Sequence, residues 1–101
     1  MNLIEKQKLI RQLKADYRHI LIDYFINESD NLSKIDNFIN SLFYANIPVP
    51  KIIEMHMEVM DDFSNQLKIE GRDDEVILDY RLVLIDILAH LCELYRYSMK
   101  K

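Results

Sequence analysis

Three histidines, one cysteine and a scatter of acidic residues are the groups in this 101-residue chain that could do chemistry. His90 has the most suggestive company. It follows Asp86 by four residues and precedes Glu93 by three, so on a helix both carboxylates can reach its imidazole. Catalysis would also require a nucleophile and an oxyanion site. No Ser-His-Asp ordering has a spacing that supports one, and a single Gly leaves no glycine-shaped loop. The same scarcity of Gly excludes phosphate-cradling and dinucleotide-binding loops. A metal centre is disfavoured because His19, His56 and His90 fall in separate segments, with no HxxxH, HExxH or Cys-His pairing. The expectation is therefore no nucleophilic catalytic centre, no cofactor held by a glycine-rich loop and no metal.

The remaining reactive groups have bland explanations. His56 lies within the apolar pattern of its segment and is expected in the core or at a seam, with a hydrogen-bond partner. His19 follows Arg18 on the charged side of its segment; it lacks the acid or amide pattern expected after a phosphoacceptor histidine. Cys92 sits among apolar residues and reads as a small buried side chain. As the lone cysteine it excludes an intrachain disulfide, which points to a reducing cytoplasm. Met55, Met57 and Met60 fit core filling, with an adaptable binding surface as the alternative.

The balance of 13 basic and 17 acidic residues, a net charge of −4, belongs to an ordinary globular domain. An acidic chain without a basic stripe is a poor nucleic-acid ligand. The charged opening MNLIEKQKLIRQLK is no signal peptide, and no apolar run reaches the ~18 residues of a membrane span.

The elements that must position His90 are helices. Ile10, Leu13, Tyr17, Leu21 and Tyr24 recur at three- and four-residue spacings, predicting a helix over 3–26. Asn27 to Asn31 read as a capping loop. Leu32, Ile35, Phe38, Ile39, Leu42 and Phe43 predict a second helix over 31–45. Pro48 and Pro50 mark a bend into a third helix over 49–70, striped by Ile52, Ile53, Val59, Met60, Phe63 and Leu67. Gly71 falls where a left-handed C-terminal cap belongs. Asp73, Asp74 and Glu75 supply a cap and favourable negative charge for a fourth helix over 75–99. The fold expected is all-α: one domain over 1–101, a four-helix bundle.

Around the fourth helix, at about 100° per residue, side chains divide unevenly. Ile77, Tyr80, Leu84, Leu88, Leu91 and Tyr95 make one apolar face. Leu78, Ile85, Ala89 and Cys92 make a second, flanked by Arg81 and Arg96. A narrow polar strip holds Asp79, Asp86, His90, Glu93 and Tyr97, with Val83 beside it. A surface helix normally has one apolar stripe and a broad polar side. Two apolar faces favour a second chain, and the twofold homodimer is the commonest closed assembly; a helix at the centre of an irregular monomeric bundle is the alternative. The strip beside that seam suits a basic, amphipathic peptide segment; a plain solvated face is the alternative.

The text of the last two helices resembles a known family. Glu54-Met55-His56-Met57-Glu58, Met60-Asp61-Asp62-Phe63-Ser64 and Gln66-Leu67-Lys68-Ile69-Glu70-Gly71-Arg72 are similar to the carboxy-terminal domain of the cyanobacterial circadian clock protein KaiA. So are Leu78-Asp79-Tyr80-Arg81-Leu82 and the run from Leu84 to Arg96, and earlier Tyr17-Arg18, Asp23-Tyr24-Phe25 and Lys34-Ile35-Asp36-Asn37-Phe38. Longer family members carry an amino-terminal receiver-like domain, and this sequence is similar to the short forms. The resemblance implies a homodimeric, non-enzymatic activator. It would bind the carboxy-terminal tail of the clock kinase KaiC, stimulate its autophosphorylation, and be sequestered by KaiB. His90 matches the family's important histidine. Asp79, Val83, Asp86, His90, Glu93 and Tyr97 are the expected tail contacts; Leu78, Ile85, Ala89 and Cys92 are the expected dimer seam. Rival functions are a phosphotransfer bundle using His19 and a plain dimerisation module.

Overall fold

The structure, a computed structural model, describes residues 2–24, 28–71 and 75–99, and within these the side chains of 2–24, 33–71 and 77–99. Four helices account for nearly all of it: α1 (Leu3–Asp23), α2 (Glu28–Tyr44), α3 (Val49–Ile69) and α4 (Glu75–Met99). Among the described residues there is no strand, so the chain is all-α as its periodicity predicts. The chain divides into two compact units, Met1–Phe38 and Ile39–Lys101.

Local chemistry explains where the helices start and stop. Asn2, in extended backbone, caps α1 by accepting a hydrogen bond from the Glu5 amide at 2.8 Å. α1 stops at Asp23, three residues short of the sequence expectation, and Phe25 to Asn27 lie outside the described residues. α2 begins at Glu28, three residues early. Glu28 to Asn31, expected to belong to a loop, lie within the helix instead. The stop of α2 is a Schellman motif. Asn46 adopts left-handed backbone (φ 55°), a conformation Asn reaches more readily than most side chains. The Ile47 amide donates to the Leu42 carbonyl and the Asn46 amide to the Phe43 carbonyl, each at 3.1 Å. Leu42 and Ile47 are both buried there, which supplies the apolar contact that accompanies the motif. Pro48 is the N-cap of α3 and Pro50 lies in its first turn, where a missing amide hydrogen costs no helical bond. Gly71 (φ 69°) closes α3 as expected, its amide donating to the Lys68 carbonyl at 3.2 Å. Asp73 and Asp74, the expected caps of α4, lie outside the described residues.

In the first unit, Leu13, Tyr17, Ile20 and Leu21 of α1 are buried, as are Ile35 and Phe38 of α2. Tyr17 stacks on Phe38 with ring centroids 5.6 Å apart. Burial pushes the Tyr17 phenol pKa well up, so it stays protonated and neutral. Lys34 pairs with Asp23 at 2.7 Å on the surface.

In the second unit α3 packs on α4. α3 buries Ile52, Met55, His56, Val59, Met60 and Leu67. Ile53 departs from the expected stripe and is 41% exposed, because it lies about 100° around the helix from Ile52. Met57 is exposed as well, whereas Met55 and Met60 fill the core. Two aromatic contacts fix the rotation of α4. Tyr80 meets Phe63 at 5.6 Å, and Tyr95 meets Phe43 at 5.1 Å.

His56 is the one buried polar side chain among those described, 3% exposed. Burial lowers its pKa below the ordinary imidazole value, and the charge of Arg81 lowers it further. The unfolded chain, with an ordinary pKa of about 6.5, then takes up a proton that the folded chain resists. Stability from this group is complete above that value and is lost as pH falls through the folded pKa. The expected result is a lower denaturant midpoint at pH 5.5 than at pH 7.5, with a smaller drop in His56→Gln. Equal drops in the two proteins would remove His56 as the cause.

Candidate functional site

α4 carries three different surfaces around one 25-residue helix. Its core line is Val83, Ile87 and Leu91, all buried, flanked by the half-buried Tyr80, Leu84, Leu88, Leu94 and Tyr95. This line is rotated from the expected face, which omitted Val83 and Ile87. When apolar residues surround most of a helix, periodicity alone leaves the inward flank ambiguous, and the contacts of Tyr80 and Tyr95 settle it.

The second surface is the polar strip. Asp79, Asp86, His90, Glu93 and Tyr97 are all exposed on one side of the helix, because steps of seven, four, three and four return to nearly the same angle at 100° per residue. Asp86 Oδ1 lies 4.0 Å from His90 Nε2, one helical turn away. Glu93 was expected to share the imidazole, but its Oε1 lies 3.8 Å from Arg96 Nη1 at the strip's edge. Both pairs are solvent-exposed and contribute little to stability. Their carboxylates remain open to an incoming cation. Val83 does not belong to the strip. It is 2% exposed and points into the core, so a docked segment cannot touch it. Val83 lies only about 40° from Asp79 around the helix, which is why its position in the sequence suggested the strip.

The third surface is apolar and uncovered. Leu78, Leu82 and Ile85 are 55%, 62% and 60% exposed, and Ala89 and Cys92 are exposed too. Cys92 is thus exposed in the single chain, so the burial expected of it would require a second copy. Leu82 is absent from the sequence-level seam. Its signal was present: positions 78, 82, 85, 89 and 92 alternate steps of four and three, the a/d repeat of a helix that packs along another helix. Ala89 and Cys92 are small, which permits close approach of a second backbone.

Outside α4 the other candidates stay apart from this site. His19 is exposed on α1, and His56 is buried on α3. Among the described residues no three His, Cys, Asp or Glu side chains gather as a metal-holding group. Among those residues, too, no helix is long and apolar enough to cross a membrane.

Comparison with known proteins gives one consistent answer. The family model described as the KaiA C-terminal domain matches residues 1–101. The circadian clock oscillator protein KaiA of Nostoc sp. strain PCC 7120 is 59% identical over 98 residues, covering 97% of this chain and 96% of that protein. The KaiA of Synechococcus elongatus is 48% identical over 97 residues, which is 96% of this chain and 34% of that protein. The chain therefore spans almost all of one relative and about a third of the other. Among solved structures, the crystal structure of Kai A from PCC7120 superposes with a TM-score of 0.78 at 58% identity, covering 91% of this chain and 93% of that one. The C-terminal domain of Thermosynechococcus elongatus BP-1 KaiA superposes with a TM-score of 0.81 at 48% identity, covering 91% of this chain and 87% of that one.

Proposed function

Since the chain belongs to the KaiA C-terminal domain family, we propose that it is a non-enzymatic clock component: a cytoplasmic homodimer that binds the carboxy-terminal tail of the kinase KaiC, accelerates KaiC autophosphorylation and is sequestered by KaiB. The observation that carries this reading is the arrangement on α4. An exposed acidic strip bearing His90 runs alongside an exposed apolar face, so one helix offers a docking surface and a pairing surface side by side.

Each surface suits its role by its chemistry. Asp79, Asp86 and Glu93 attract basic side chains of the tail and fix its orientation more than they add affinity. Tyr97 offers an exposed aromatic contact at the carboxy-terminal end. His90 lies between the acids, where it is both a hydrogen-bonding group and a flat apolar one. Leu78, Leu82, Ile85, Ala89 and Cys92 form the seam with a second copy. No cofactor enters this mechanism.

Activation follows as a shift of population. The kinase tail exchanges between a tucked and an exposed state. A protein that binds only the exposed state draws the kinase toward it, by as much as its affinities for the two states differ. No bond is made or broken by the activator, so its side chains need affinity and shape, not perturbed nucleophiles.

The test is a titration of the KaiC tail peptide into the wild-type protein and into His90→Ala. His90 is exposed, so its removal leaves the helix intact. The expected result is a loss of affinity of about tenfold or more, equivalent to ~1.4 kcal/mol, with unchanged helical content. Equal affinity for the two proteins would remove His90 from the docking surface.

A further inference from the structure

We draw no further inference here: the strongest candidate, the exposed apolar stripe of Val49, Ile53 and Met57 along α3, carries nothing because nothing in the structure shows what covers it.

Discussion

Ile85→Glu is expected to produce a folded monomer. Ile85 is 60% exposed in the single chain, so a glutamate there stays hydrated and α4 keeps its packing on α3. Glutamate is also a better helix former than isoleucine. In a dimer sealed along Leu78, Leu82, Ile85, Ala89 and Cys92, the same carboxylate would be buried without a partner, once from each copy. Leaving a charge unpaired at an interface costs about 2–5 kcal/mol. Two such costs raise the dissociation constant by roughly a thousandfold or more. Sedimentation equilibrium should therefore give a monomeric mass at concentrations where the wild type is dimeric, with superimposable circular dichroism spectra. An Ile85→Glu protein with the wild-type dimeric mass would place the seam elsewhere, and Ile53→Glu on α3 would be the next variant to weigh.

Ile87→Glu, only two residues further along, is expected to unfold the chain. Ile87 is 0% exposed and lies on the core line with Val83 and Leu91. An unpaired carboxylate there loses its hydration and gains no ion partner, a cost of several kcal/mol even after its pKa rises. Domains of this size have only about 5–15 kcal/mol of stability in total. The expected readout is loss of most helical circular dichroism at neutral pH and a collapsed dispersion of amide proton resonances. A cooperative wild-type-like melt would contradict the rotation assigned to α4. The pair of variants is informative because chemistry and helix are held constant. Only the direction of the side chain differs, and the two failures are separable: one loses association, the other loses the fold.

That contrast also locates where the sequence was legible. Helix number and type followed from periodicity, and both ends of α3 were readable because Pro48, Pro50 and Gly71 act through backbone geometry that any context preserves. The polar strip was readable too, since Asp79, Asp86, His90, Glu93 and Tyr97 share a helical angle whatever packs behind them. The inward flank of α4 was not. Val83 and Leu84 differ by about 100° and are equally apolar in type, so only the contacts with Phe63 and Phe43 decide which of them enters the core. Leu82 was missed for the same reason: at the border of strip and seam, its role depends on exposure, and exposure depends on that rotation. The stop of α2 falls within one residue of the expected position, but its left-handed form was not foreseen, because Asn46 is a weaker signal than Gly for that backbone. The early start of α2 shows the opposite error: Ser, Asp and Asn are common in loops and at caps, and here the run lies within the helix. Cys92 was judged by residue type as buried, which a single chain does not satisfy and a seam between two copies would.

In the proposed function the exposed surfaces of α4 serve tail binding and kinase activation in a dimer. The most direct test is the rate of KaiC autophosphorylation with increasing amounts of this protein, its mass in solution being measured in parallel, and the same series run with His90→Ala. The expected result is a dimeric mass for both proteins, a concentration-dependent acceleration by the wild type, and a markedly weaker one by His90→Ala. No acceleration by a folded, dimeric wild type would contradict the activator function and leave a dimerisation module; acceleration that His90→Ala matches would contradict the assignment of the strip.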